Sequence, residues 1–248
     1  MRTIAIIQAR MGSARLPGKL ARRLGHCSLL ETVVRRAKAA RRVSGVVVAT
    51  SDRCEDEAIE QFVPGGVPIV AGPADDVLGR FLRVLELFPA DLVVRVCADN
   101  PYIDPSLIDR LVEHAGRNRA ADYVSFRCAG GTPTILTGLG LFAEVVRTSA
   151  LRRAADSTTD PCDREHVTRF IYRHPDQFSL CYLPVPTPLD REDLRLTVDF
   201  PEDWQHVRAI YESLGPEPLE WQEIVDYVAR RERLRRRMAS LNALCPKS

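Results

Sequence analysis

Two kinds of hydrophobic block alternate along the first half of this chain. Short unbroken apolar runs, Ile4-Ala5-Ile6-Ile7, Val46-Val47-Val48-Ala49 and Leu92-Val93-Val94-Arg95-Val96-Cys97, are of strand length. Runs without polar alternation suit strands covered on both faces. Pro68-Ile69-Val70 reads as a shorter strand of the same kind. Between these runs the spacing becomes helical: Leu30, Val33, Val34 and Ala37 fall on one stripe. The helix starts are marked. Ser28-Leu29-Leu30-Glu31 is a capping box opening a helix to about Ala40, and Asp52-x-x-Glu55 looks like the cap of another. Asp75-Asp76 precedes a helix from Val77 to about Phe88, and Asp104-Pro105 puts proline in the first turn of a helix reaching about Arg117. Strands and helices alternating through short loops predict an α/β fold with a doubly wound, mostly parallel sheet of the Rossmann-like kind.

The second half is less regular and reads as an irregular extension. Strands are expected at Tyr123–Phe126, Leu141–Val146, Phe178–Pro184 and Leu194–Val198. Helices are expected after Thr148 or Ser149, from Asp163 to Arg173, from Pro201 to about Leu214 and from Trp221 to Arg237. Residues 129–140 form a Gly/Thr loop, and 238–248 read as a frayed tail. The whole is expected to be a single domain over 1–237, with 120–190 as a subregion for acceptor and dimer contacts. Arg230 to Arg237 contains six arginines, read as a solvated helix end against the alternative of a site for an anionic partner.

Composition narrows the class. The chain has 248 residues, 45% hydrophobic and 27% charged, enough for one α/β core. A net charge of +2 gives no ground for a nucleic-acid partner, and no apolar run is long enough for a membrane partner. Seven scattered cysteines with no C-x-x-C pair suit a reducing cytoplasm, and no signal peptide is expected before the first strand.

Ligands of such sheets lie beyond the C-terminal strand ends. Three predicted loops meet there: Gln8–Lys19, Thr50–Asp52 and Ala98–Asp104. The first, QARMGSARLPGK, carries Arg10, Gly12, Ser13, Arg15, Gly18 and Lys19. Glycines permit close backbone approach, successive N–H groups make an anion nest, and the cations add fixed positive charge. The loop is neither a Walker A sequence nor G-x-G-x-x-G, and a plain basic surface turn is the competing reading. Asp99 and Asp199 each follow a predicted strand, in VCADNP and LTVDFP. Each could bind metal or simply cap the next helix.

The stretch Q-A-R-M-G-S-x-R-L-P-G-K resembles the signature of the cytidylyltransferases that make CMP-activated acidic sugars, the SpsF-like branch above all. The likeness continues through D-D-V-L-x-R-F (Asp75–Phe81), V-R-V-C-A-D-N-P (Val94–Pro101), R-E-H-V-T (Arg164–Thr168) and T-V-D-F-P-E-D (Thr197–Asp203). It implies a nucleotidyltransferase fold, CTP as one substrate, a small anionic acceptor, release of pyrophosphate, Mg²⁺ as cofactor and a homodimer. It assigns Asp99 and Asp199 to the metal, and Arg10 and Lys19 to catalytic phosphate contact. Ala9, Met11, Gly12, Ser13 and Arg15 join the nucleotide loop. Ala49, Thr50, Ser51 and Asp52 are assigned to the base, with Arg80 facing the nucleotide, and Asn100, Glu165 and His166 to the acceptor. One departure stands out: Leu139 and Phe142 replace acids the branch carries on the acceptor side, which implies a more apolar pocket. A glycosyltransferase of similar fold and a nucleotide-binding protein without turnover remain alternatives, the first lacking a D-x-D after a strand.

Overall fold

A computed structural model describes residues 1–215 and 219–244. The predicted half-sheet is present: β1 (Thr3–Gln8) pairs in parallel with β4 (Gly45–Ser51) and β6 (Leu92–Cys97), and β4 with β5 (Ile69–Gly72). Between β1 and β4 lie a small hairpin, β2 (Arg23–Leu24) and β3 (Cys27–Ser28), and the helix α1 (Leu29–Ala39). The other helices of this half are α2 (Val77–Leu87) and α3 (Pro105–Arg117). Completing the sheet are β7 (Tyr123–Arg127), β8 (Glu144–Arg147) and β9 (Leu180–Pro184) in the order β5-β4-β1-β6-β8-β7-β9, with β8 antiparallel to both neighbours.

The unbroken apolar runs are explained by two buried layers. Ala5, Ile7, Val46, Val48, Val94 and Val96 face the layer under α1 and α3. Ile4, Ile6, Val47, Ala49 and Val93 face the layer under α2 and the helices that follow β8. The helix starts hold where a side chain does the capping. Ser28 accepts from the Glu31 N–H, Asp76 from Gly79, and Asp104 from Ser106 and Leu107.

Elsewhere the expectations need correction. Asp52 caps nothing; residues Cys54–Phe62 form a 3₁₀ segment entered through Arg53 without a side-chain cap. The strand expected from Leu141 is short, because Leu141, Phe142 and Ala143 pack into the core before pairing begins at Glu144. The helix α4 (Thr148–Ser157) has Arg147 at its cap position, since the Thr148 hydroxyl donates to the Ala90 carbonyl instead. The helix expected over 163–173 is broken into α5 (Pro161–Glu165) and α6 (Arg169–Arg173). The break falls at Val167, the one non-glycine residue with positive φ (43°) among the described residues. Residues 194–199 form no strand. The Leu196 and Thr197 N–H groups go to the Gly138 carbonyl, that of Val198 to the Asp99 carbonyl, and that of Asp199 to the Asp203 carboxylate. Gly140, at φ 66°, admits this segment: a Cβ there would lie 2.6 Å from the Leu196 carbonyl carbon.

The C-terminal helices are α7 (Pro201–Leu214), α8 (Trp221–Ala229) and α9 (Glu232–Leu244), so the helix expected through Arg237 stops at Arg230 and restarts. The described part of the expected tail is not frayed. Met238 is fully buried, and Asn242 donates to the Glu192 and Leu194 carbonyls. Residues 245–248 of that tail lie outside the described residues. Among the described residues, no helix is long and apolar enough to cross a membrane.

Candidate active site

The C-terminal edge of β1 and β6 opens into a cleft of about 480 Å³, a size suited to a small-molecule site. One wall is the β1 loop, through Arg10, Gly12, Ser13, Arg15 and Lys19. Asp99, just beyond β6, and Asp199, before α7, form the second wall. Glu165 and His166, at the end of α5, form the third. A larger and more open hollow of about 650 Å³ lies between α7 and α9, where Arg233, Arg237 and Glu202 meet none of these residues.

Lys19 is the centre of charge. Its ammonium lies 3.2 Å from Asp99 Oδ2 and 3.4 Å from Asp199 Oδ1, and donates to the Val198 carbonyl at 2.7 Å. Burial pulls its pKa down, but the two carboxylates outweigh burial and hold it above the ordinary lysine value. Asp199 is further approached by Arg15 and by the buried Arg195, each at 3.4 Å. Arg195 in turn pairs with Asp203 at 2.8 Å, and Asp203 accepts from the Asp199 and Phe200 N–H groups. Two acids 100 residues apart, 199 − 99, therefore share one cation. That pair fits Mg²⁺, which commonly takes one or two carboxylates and completes its shell with substrate phosphates and water. Among the described residues no group of three or more metal-ligating side chains exists to make a full protein cage.

The loop itself departs from an open anion nest. The Met11 N–H donates to Asp56 Oδ1, and the Ser13 N–H to the Met11 carbonyl at 2.9 Å. Arg10 reaches Glu165 at 3.2 Å, so the residue expected at the acceptor also holds a residue expected at the phosphates. His166 lines the cleft. Burial first, then the positive field of Arg95, holds its pKa below the ordinary histidine value.

The remaining expected residues lie outside the lining of this cleft. Ala9 and Ala49 are buried and joined, the Ala9 N–H donating to the Ala49 carbonyl at 3.0 Å. Ser51 donates to Asp56, while Asp52 is exposed and its N–H goes to Gly72. Thr50 Oγ1, Asn100 Oδ1 and Nε and Nη1 of Arg80 are buried without hydrogen-bond partners. Arg80 is 2% exposed, and desolvation lowers its pKa despite Glu165 nearby. A buried guanidinium with unmet donors is the feature here that most asks for an acceptor. Leu139 and Phe142 do not line the acceptor side. Both are core residues, and Phe142 packs on Phe126 with ring centroids 5.0 Å apart.

Sequence reasoning missed the frame of the site. Arg95 forms a buried pair with Glu144 at 2.6 Å and donates to Gln8 and Thr168, while Glu144 also accepts from Tyr123 and Thr168. A charged residue inside an apolar strand was the visible signal. Arg164 makes a two-pronged pair with Asp76 and so ties α5 to the start of α2. Asp56 had no signal, because it is one of several acids after β4.

A sequence profile of the family described as Cytidylyltransferase matches residues 4–231. The chain belongs to the cytidylyltransferase family. This cytidylyltransferase is 33% identical over 219 residues to the spore coat polysaccharide biosynthesis protein SpsF of Bacillus subtilis, covering 86% of this chain and 88% of that one. A cytidylyltransferase structure from Leptospira borgpetersenii superposes with a TM-score of 0.86 at 25% identity, covering 94% and 96%. The fold also matches a CMP:2-keto-3-deoxy-manno-octonic acid synthetase complexed with CTP, at TM-score 0.65 and 17% identity, covering 87% and 100%. The SpsF-like resemblance is thereby established and the protein is a nucleotidyltransferase; the readings as a glycosyltransferase or a binding protein without turnover give way.

Proposed function

We propose that this cytidylyltransferase transfers CMP from CTP to a small anionic acceptor, an acidic sugar or a phosphonate or phosphate, and releases pyrophosphate. The supporting observation is the meeting of Asp99 and Asp199 on Lys19 at the mouth of a basic loop. Asp99 and Asp199 would hold Mg²⁺, which supplies charge neutralisation at the triphosphate when bound. Lys19 is the counter-ion of the two acids, and once they hold a divalent ion its charge is available to the phosphates. Arg10 and Arg15, each about half exposed, are placed to neutralise the leaving pyrophosphate. The acceptor oxygen attacks the α-phosphorus in line. His166, kept neutral near pH 7, can accept a hydrogen bond from the acceptor. Buried Arg80 offers unmet donors for the nucleotide. A cytoplasmic homodimer, with 120–190 at the interface, completes the reading.

A thermal-shift screen of the four nucleoside triphosphates, with and without Mg²⁺, on the wild type and Asp99→Asn tests it. CTP alone should raise stability in the presence of Mg²⁺, by about 2.7 kcal/mol at a hundredfold excess over Kd. Asp99→Asn should lose the Mg²⁺ dependence. Pyrophosphate release is then assayed with acidic sugars, phosphonates and phosphates. Preference for UTP or a nucleotide-sugar, or no pyrophosphate with any acceptor, would overturn the proposal.

A further inference from the structure

Asp56 is 2% exposed and stands in the 3₁₀ segment after β4, outside every motif of the sequence. Both carboxylate oxygens are engaged. Oδ1 accepts from the Met11 N–H at 2.5 Å, and Oδ2 accepts from the Ser51 hydroxyl. Met11 is in the loop after β1, and Ser51 is the last residue of β4. The preceding residue, Glu55, crowds the same loop: a Cβ on Gly12 would lie 2.7 Å from its Oε1. Asp56 is also one of the charges acting on the buried Arg80.

We infer that Asp56 is a positioning residue that locks the phosphate-facing loop to the base-facing end of β4, so that the two halves of the nucleotide site keep one spacing. The inference rests on the reading of this cleft as the CTP site. The physical case is one of entropy. In the glycine-containing loop between β1 and Lys19, residues 9–18, the stretch around Met11 would otherwise keep more freedom, and the nucleotide would have to order it on binding. A charge-assisted bond to a buried carboxylate orders it beforehand, and preorganisation of this kind appears as affinity. The bond also spends the Met11 N–H, which fixes the direction of the loop. Arg10, Gly12 and Ser13 then face the cleft while Met11 does not.

The test compares the wild type with Asp56→Ala and Asp56→Asn. An asparagine keeps an oxygen for the Met11 N–H and can donate its amide to Ser51, so it is the conservative variant. Hydrogen exchange followed by mass spectrometry reads the loop residues 9–18 without any ligand. Steady-state kinetics in CTP, at a saturating level of an acidic sugar, phosphonate or phosphate that the acceptor panel shows to be turned over, reads the consequence. Asp56→Ala should speed exchange in the loop while β1 and β6 stay protected, and should raise KM for CTP at least tenfold with kcat within about threefold. Asp56→Asn should restore both to near the wild-type values. Unchanged loop exchange in Asp56→Ala overturns the inference, as does a uniform loss of protection and kcat with KM unmoved, the mark of a merely structural role. If the wild type turns over CTP with no acceptor of that panel, the functional reading fails, and the exchange result still decides whether Asp56 holds the loop.

Discussion

Lys19 neutralises two carboxylates that arrive from opposite halves of the chain, at 3.2 and 3.4 Å. Lys19→Met would remove the cation that the two acids share, leaving Asp199 to Arg15 and Arg195, at a cost of about 1–3 kcal/mol in apo stability. Mg²⁺ should then bind the nucleotide-free protein more tightly than it binds the wild type, since the ammonium no longer competes for the acids. Turnover should fall by about 10²–10³, as when a preorganised charge is removed from a developing phosphate charge. Calorimetric titration with Mg²⁺ and single-turnover kinetics check the two effects. A kcat within threefold of wild type would reduce Lys19 to a structural counter-ion. The residue was legible in the sequence as a cation in a glycine-containing loop. Its partners were not, because nothing local to Lys19 points across 80 and 180 positions.

Among elements, the join between β6 and β8 is where the two halves of the sheet meet, and it is made around charge. Arg95 and Glu144 lie opposite each other in the register and are 4% and 2% exposed at the side chain. Glu144→Gln would leave a buried guanidinium without its counter-charge, at a cost of about 3–5 kcal/mol. The pair Arg95→Met with Glu144→Leu should recover only part of that, since it removes the unpaired charge but leaves the buried Tyr123 and Thr168 hydroxyls without their acceptor. Urea denaturation measures both; a single-variant cost under about 1 kcal/mol would show that Arg95 does not depend on the Glu144 charge. The same scale shows where element prediction stops. The 163–173 pattern reads as one helix because no glycine or proline interrupts it. The break at Val167 comes from tertiary packing, since the fully buried side chain offsets a left-handed backbone that costs of order 1–3 kcal/mol. Residues 194–199 have strand composition but pair with loops at Gly138 and Asp99, and so no ladder forms.

Across the whole molecule, titration sets a stability window. His166 and His206 are both held below the ordinary value of 6.5, burial being the first cause in each. The unfolded chain therefore binds more protons than the folded one between 6.5 and the lower folded values. Their contribution is complete above about pH 6.5 and is lost as pH falls through the folded values. Lys19 acts at the other end. Its folded pKa is raised above 10.5, so its contribution is complete below 10.5 and is lost as pH rises through the folded value. Melting temperatures measured from pH 5 to 11 should fall at both ends. His206→Gln should flatten the acid limb without touching the alkaline one; an unchanged acid limb would remove His206 from the account. What the sequence by itself determined was the parallel half-sheet, most of its helix starts and the basic loop, because apolar periodicity, capping side chains and glycine act within a few residues. Only the tertiary structure decided that Asp99 and Asp199 share one lysine, that Arg80 is buried with unmet donors, that Arg95 needs Glu144, and that Asp56 holds the loop. Those are meetings between distant positions, and burial in the assembled core gives each its strength.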